Sequence, residues 1–109
     1  KERIRIRVGV AYGSDVDRVE ELLLNIALSH ADIVEKPEPR VRFRAFGESG
    51  LDFELLAWIK EPVLRGRVSH LITKEIYNCF NEEGIEIPYP KRDVYIKGTV
   101  TNAPEVLDQ

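Results

Sequence analysis

The chain of 109 residues has the size of one ordinary domain, and its composition excludes several classes of protein. A hydrophobic fraction of 43% with 32% charged residues is typical of a globular chain and excludes a disordered one. One cysteine excludes an internal disulfide framework and a zinc site built from several cysteines. The net charge of −3 argues against a dedicated nucleic-acid binder, and no apolar run reaches the ~18 residues of a membrane span.

The absence of methionine, together with a first residue Lys1, indicates a piece of a longer protein. The charged residues that alternate after Lys1 do not form the apolar core of a signal peptide.

The first third of the chain predicts a strand and then a helix. Apolar and polar residues alternate from Ile4 to Tyr12, the period of a strand with one buried face. Ser14 is the predicted N-cap of a helix from about Asp15 to Ser29, in which apolar residues recur at helical spacing. The polar stretch from His30 to Pro39 predicts a loop.

The second part of the chain predicts a hairpin and another helix. Arg40 to Phe46 alternates, with Val41, Phe43 and Ala45 on the predicted buried side. A turn at 47–50 connects this strand to a second alternating run, Leu51 to Ile59, so the two form an antiparallel hairpin. Pro62 and Gly84 then bracket a helix over about 64–83, with Val68, Leu71, Ile72, Ile76, Cys79 and Phe80 on its apolar side.

The alternation of Val94 and Ile96 makes Arg92 to Lys97 the fourth predicted strand. The resulting order is β-α-β-β-α-β, which predicts an α+β, ferredoxin-like sandwich with two helices on one face of a four-stranded sheet. In this fold the third strand lies between the first and the second. The predicted hairpin register places Arg44 opposite Glu54, Arg42 opposite Leu56 and Arg40 opposite Trp58.

The outward side of two strands is basic, carrying Arg3, Arg5, Arg7, Arg40, Arg42 and Arg44. Such a face also occurs in RNA-binding domains of this fold. Here Asp52 and Glu54 are expected to lie between the two arginine columns and neutralise them. The outer side of the first strand also carries no stacking aromatic residue, so the sequence favours a surface ion-pair mesh over nucleic-acid binding.

No catalytic or metal-binding constellation emerges from the sequence. His30 and His70 are interpreted as isolated surface histidines, and Cys79 as a small buried side chain. The carboxylates at the start of the first helix favour its dipole, which is a sufficient reason for them without a cation. These carboxylates are Asp15, Asp17, Glu20 and Glu21, and the scattered Gly9, Gly13 and Gly84 do not form a phosphate-binding loop. We therefore predict no enzyme activity, no cofactor and no metal.

Three stretches of the chain, taken together and in this order, resemble the cytoplasmic α/β domain of the small-conductance mechanosensitive channel (MscS) family. The first runs from Val8 to Asp17 and resembles the entry to that domain. The second resembles its central hairpin through Phe46, Gly47, Ser49, Phe53 and Trp58. The third, Gly84 to Val94, resembles its closing Pro-Tyr-Pro segment.

The resemblance implies a part of a membrane channel that opens under tension and releases osmolytes. Family members carry membrane helices and a middle β domain before this domain, and they assemble as a heptameric cage on the cytoplasmic side of the membrane. The resemblance implies that the partners are six further copies of the chain and the ions and small osmolytes that pass through the channel. It implies contact with the membrane only through helices upstream of this chain. Residues 1–90 would be the α/β domain, 91–100 a barrel strand and 101–109 a flexible tail.

In the family, the segment after Pro-Tyr-Pro joins a parallel barrel with one strand from each subunit. The resemblance therefore assigns Asp93, Val94, Tyr95, Ile96 and Lys97 to that barrel, and leaves 85–87 to close the local sheet. It also places Arg3, Arg5 or Arg7 beside the side openings of the cage, where arginines would concentrate anions. The alternative is a stand-alone module that binds a small ligand at the turn Gly13-Ser14-Asp15.

Overall fold

Two helices pack on one face of a three-stranded antiparallel sheet in the computed structural model, which describes residues 2–89, 93–96 and 99–102. The elements in chain order are β1 Glu2–Val10, α1 Val16–Leu28, β2 Arg40–Phe46, β3 Leu51–Ile59, α2 Arg65–Glu83, β4 Asp93–Ile96 and β5 Thr99–Asn102. A short 3₁₀ turn, Pro62–Leu64, leads into α2. The predicted α+β class with two helices against an antiparallel sheet is confirmed.

The core lies between the sheet and the helices, where the alternating residues of β1 and β3 meet the apolar sides of α1 and α2. The buried strand residues are Ile4, Ile6, Val8, Val10, Leu51, Phe53, Leu55, Ala57 and Ile59, as the alternation predicts. The helices contribute Val19, Leu22, Leu23, Ile26, Ala27, Val68, Ile72, Ile76 and Phe80. Of the predicted apolar side of α2, Leu71 is 38% exposed and Cys79 packs at the margin of the core.

The strand order β1-β3-β2 agrees with the prediction that the third strand is central. The predicted hairpin register is wrong by two residues, because Arg42 lies opposite Glu54 and Arg40 opposite Leu56. The register shifts between Phe43 and Ala45, which leaves Arg44 as an extra residue in β2. For residues 40–43 a shift of two keeps every side chain on its predicted face, so the hydrophobic pattern does not distinguish the two registers there. Beyond the extra residue the shift is one, which places Ala45 opposite Asp52 and Phe46 opposite Leu51.

The predicted burial of β2 is also wrong. Phe43 is 42% exposed and Ala45 is exposed, while Val41 is half-buried. Phe43 stacks on Phe53 with ring centroids 5.0 Å apart, and Phe46 meets Phe43 edge-on at 5.5 Å. As the edge strand of the sheet, β2 has a neighbour on one side only, which explains its exposure.

The predicted fourth strand of the sheet is absent from residues 85–87, which have no strand assignment. This segment instead meets the end of β1 through one backbone hydrogen bond, in which Ala11 N–H donates to the carbonyl of Glu86 at 2.8 Å. Farther along, β4 pairs antiparallel with β5. Thr101 and Asn102, predicted to begin a flexible tail, belong to β5, whereas residues 103–109 lie outside the described residues.

Helix α1 is capped by Asp15 and not by the predicted Ser14. The Asp15 carboxylate accepts a hydrogen bond from Arg18 N–H at 3.2 Å, while the Ser14 hydroxyl donates to the carbonyl of Ala11 at 2.7 Å. At the same end of the helical layer, α2 stops at Gly84 with φ of +74°, a left-handed conformation that glycine adopts without strain.

Candidate functional site

Six arginines lie on the side of the sheet opposite the helices, and we call this surface the arginine face. Its members are Arg3, Arg5 and Arg7 of β1 and Arg40, Arg42 and Arg44 of β2. Strand β3 runs between the two columns and places Asp52 and Glu54 among them. The alternation of the sequence therefore predicted this arrangement of opposite charges correctly.

Glu54 is the buried centre of the arginine face. Its side chain lies 3.1 Å from the Nε of Arg5 and 3.7 Å from the Nε of Arg44, and the residue is only 5% exposed. A buried carboxylate is costly unless charged partners compensate it, so these two arginines stabilise Glu54 in place. Arg5 and Arg44 are about half-exposed themselves, so the far sides of their guanidinium groups reach water.

An open depression of about 370 Å³ lies on the same face beside Gly9. Its charged lining consists of Arg5, Arg7, Arg44, Asp52 and Glu54. These groups can attract and orient solvated ions, and Glu54, Arg5 and Arg44 are engaged in ion pairs with one another. Within the described ranges no cluster of three or more histidine, cysteine or acidic residues has a geometry suited to a metal ion.

A second feature, the motif junction, joins three segments at one end of the sheet: 10–12 after β1, the turn 47–50, and 86–88. The hydroxyl of Tyr12 donates to the carbonyl of Gly47, and Gly47 N–H donates to the carbonyl of Gly50 at 2.7 Å. The hydrogen bond from Ala11 to Glu86 joins the third segment to the first. The three stretches that carry the sequence resemblance thus meet in one place.

Gly50 closes the motif junction, because a Cβ atom there would clash with the carbonyl oxygen of Val10 and lie 3.0 Å from Cγ of Pro88. Sequence reasoning treated Gly50 as an ordinary turn residue and Tyr12 as a buried strand residue. Tyr12 is in fact 53% exposed beyond the end of β1, and its ring carries the hydroxyl to the hairpin turn. In the sequence, the one feature that indicated this junction was the spacing of Gly47 and Gly50 in the turn.

The hairpin motif residues do not all belong to this junction. Gly47 is part of it, and the half-buried Ser49 lies in the same turn. Phe46 is 78% exposed, whereas Phe53 is buried in the core. Trp58 lies toward the opposite end of β3, paired with Arg3, and its carbonyl accepts from Val34 N–H at 2.8 Å.

The residues considered for catalysis have structural partners. His30 is not isolated, because its Nε2 lies 3.0 Å from Oε1 of Glu75 and so connects the end of α1 to α2. His70 is exposed on α2. Burial raises the pKa of the Cys79 thiol, with a further contribution from Glu83, which keeps this thiol protonated and unreactive at neutral pH.

The turn Gly13-Ser14-Asp15, where the alternative interpretation placed a ligand, already uses both polar side chains for internal contacts. Ser14 bonds to Ala11 and Asp15 caps α1. Of the acidic residues that follow, Glu21 pairs with Arg18 at 3.0 Å, and the same arginine binds Glu83 of α2 at 2.9 Å. These contacts give Asp15 and Glu21 structural roles.

Comparison with known proteins assigns the family. A sequence model described as "Mechanosensitive ion channel MscS, C-terminal" matches residues 4–87, most of the chain. The chain belongs to the MscS family of mechanosensitive ion channels. The resemblance seen in the three sequence stretches is therefore confirmed, and the family is one of channels and not of enzymes.

Relatives within the MscS family are similar over nearly the whole chain. An uncharacterized MscS family protein of Haemophilus influenzae is 37% identical over 99 residues, covering 91% of this chain and 9% of that protein. The mechanosensitive channel MscK of Escherichia coli is 37% identical over 94 residues, covering 86% of this chain and 8% of MscK. The chain therefore spans about a tenth of the length of these two relatives.

The fold agrees with a solved MscS structure. The crystal structure of Helicobacter pylori MscS in its closed state matches with a TM-score of 0.79 and 28% identity, over 90% of this chain and 39% of that one. In the described part of the present chain, no helix is long and apolar enough to cross a bilayer.

The barrel strand expected of an MscS protein coincides with β4, Asp93–Ile96, while Lys97 falls outside the described residues. The backbone of β4 pairs with β5 in the single chain, from Asp93 opposite Asn102 to Ile96 opposite Thr99. One edge of β4 is thus used within the chain, and pairing with neighbouring subunits on both edges stays a prediction.

Proposed function

We propose that this chain is the domain of an MscS-family channel that lies on the cytoplasmic side of the membrane and forms part of a cage through which solutes reach the pore. The observation that carries the proposal is the match to the MscS C-terminal family over residues 4–87, together with the fold of H. pylori MscS at a TM-score of 0.79. In this proposal seven copies assemble, and the membrane tension is sensed by helices elsewhere in the channel.

The role of the domain in this proposal is to hold a shape. The motif junction ties the hairpin turn and the segment after α2 to the end of β1, so the three loops at that end move as one body. The buried Glu54 connects the two arginine columns across β3 in the same way. A wall of this kind excludes or admits solutes by size and charge without covalent chemistry.

The arginines of β1 are proposed to face the side openings of the cage. Arg5 is engaged by Glu54, so its charge is already neutralised in part. Arg7 lies opposite Glu54 in the register but is exposed and lines the depression beside Gly9. Seven exposed arginines around water-filled openings would raise the local anion concentration.

This role is tested by Arg7→Glu in the whole channel. We expect a lower anion-to-cation permeability ratio, measured as a shift of the reversal potential under a salt gradient. Arg67→Glu is the matched control, because Arg67 is also exposed but lies on α2 and not on the arginine face. Equal reversal potentials for the two variants and the unchanged channel would remove β1 from the permeation path.

The proposed function itself is tested with the whole protein that contains this chain, expressed in bacteria that lack their own mechanosensitive channels. We expect the cells to survive a sudden dilution of the medium, and membrane patches to show a conductance that opens with suction. A protein that reaches the membrane but gives neither survival nor a stretch-activated conductance would contradict the proposal.

A further inference from the structure

The helical layer carries an acidic patch where the start of α1 meets the end of α2. Five exposed carboxylates define it: Asp17, Glu20, Glu21, Glu82 and Glu83. Arg18 is the cation among them, and it joins the two helices by binding Glu21 at 3.0 Å and Glu83 at 2.9 Å. The patch therefore keeps a surplus of negative charge that its own arginine does not balance.

The opposite side of the domain carries the reverse charge on an edge strand of the sheet. Arg40, Arg42 and Arg44 of β2, which we call the arginine strip, are all exposed, and within the described residues β2 pairs only with β3. Glu54 lies 3.7 Å from Arg44, a long contact that leaves most of the strip's charge unbalanced.

Arginines on an edge strand are a common protection against pairing with foreign strands. That reason accounts for a basic edge, but it does not account for a matching acidic patch on the other side of the same domain. A chain with a net charge of −3 repels its own copies on average, so attraction between copies requires this separation of the two signs.

We propose that the arginine strip of one copy docks on the acidic patch of a second copy. The inference rests on the proposed assembly and names the surfaces that meet in it. Because the helices cover one face of the sheet and the arginine face is the other, the strip and the patch lie on opposite sides of the domain. The contact is therefore heterologous, front to back, and repeats around a ring when the rotation between copies closes.

The two surfaces offer a charge-swap experiment on the 109-residue chain. The first variant, Arg40→Glu with Arg42→Glu, makes the strip acidic, and the second, Asp17→Arg with Glu20→Arg and Glu82→Arg, makes the patch basic. Each variant alone then presents like charges at the contact, and we expect its self-association to be at least about tenfold weaker by sedimentation equilibrium. In a one-to-one mixture every contact between unlike variants joins opposite charges again, so the mixture should associate more strongly than either variant alone, although a closed ring of seven keeps at least one contact between like variants.

The control pair is Arg67→Glu and Glu61→Arg, two exposed positions outside both surfaces, which should leave association unchanged.

Raising the salt from 50 to 500 mM should weaken the association of the unchanged chain, because exposed charges are screened over ~10 Å at 0.1 M and over less at higher salt. A chain that stays monomeric at 1 mM overturns the inference, as does a mixture that associates no more strongly than either variant alone. If the whole channel opens under tension while the swaps leave assembly unchanged, the docking surfaces are wrong and the proposed function stands.

Discussion

At the scale of single residues, Glu54 combines the burial and the charge pairing found on the arginine face. The strand period of the sequence puts this carboxylate on the arginine side of β3, and the structure shows that it is 5% exposed. The carboxylate is buried but Arg5 and Arg44 are half-exposed, so the free energy that these ion pairs contribute lies between two limits. An exposed ion pair contributes about 0–1 kcal/mol, and breaking a buried one costs about 3–5 kcal/mol. The depth of burial was not predictable, since it depends on how the long arginine side chains fold over the sheet.

Gly50 shows how little room the motif junction leaves. We expect Gly50→Ala to lower the free energy of unfolding by about 1–3 kcal/mol, because the added methyl group meets the Val10 carbonyl oxygen and Pro88. Urea denaturation followed by circular dichroism measures the loss.

The matched control for this substitution is Gly66→Ala. A Cβ at Gly66 meets no atom within 4 Å, and the residue lies in α2, where alanine is about 0.5–1 kcal/mol better than glycine. We therefore expect the control to be as stable as the unchanged chain or more stable. Equal effects of the two substitutions would show that the close approach at Gly50 is not restrictive.

At the scale of elements, periodicity predicted the central part of the fold well. The buried faces of β1 and β3 and most of the buried side of α2 are found as expected, because the sheet and the helices cover each other there. The central strand β3 also buries Glu54 and Leu56 on its other side, which the alternation did not predict. The strand order was also correct, since it follows from the order of elements in this fold.

The errors fall at the margins of the sheet. The pattern of β2 is identical to that of a half-buried strand, yet β2 is an edge and most of its residues are exposed. Its register depends on the extra residue at Arg44, which hydrophobic alternation does not reveal. Residues 85–87 alternate as a strand would, but they meet the end of β1 through one backbone hydrogen bond, in which Ala11 N–H donates to the carbonyl of Glu86. The exposure and register of β2 and the lack of a strand at 85–87 depend on where these segments lie in the sheet and not on the local pattern of apolar residues.

The cap of α1 gives a prediction at the same scale. Asp15→Ala removes the carboxylate that accepts from Arg18 N–H, and we expect a loss of about 0.5–2 kcal/mol in unfolding free energy. Asp15→Asn keeps a side-chain acceptor and should lose much less. If the asparagine variant is as unstable as the alanine variant, capping is not what Asp15 contributes; thermal unfolding of both variants decides.

At the scale of the whole molecule, the core residues that the structure describes lie in the helices and the three-stranded sheet and precede Tyr89. A chain that ends at Tyr89 should therefore keep its melting temperature to within a few degrees. Its self-association should be weaker if β4 pairs with strands of other copies.

Light scattering and thermal unfolding on the full and shortened chains measure both quantities. Barrel pairing is made by backbone hydrogen bonds, so its loss should persist at high salt, whereas the contact between arginine strip and acidic patch is weakened by salt. Equal masses for the two chains would mean that residues after Tyr89 carry no contact between copies. A large fall in melting temperature would mean that the barrel segment supports the core.

The motif junction has a mechanical consequence for the proposed cage. Glu2 lies at one end of β1, and after α2 the chain returns to the other end, where the carbonyl of Glu86 accepts from Ala11 N–H. A pull between these two points would run along the nine residues of β1, about 30 Å, nearly perpendicular to its hydrogen bonds with β3. Those bonds would then be loaded together in shear, instead of one after another as in unzipping. In the proposed cage, the domain would therefore resist lengthening along β1.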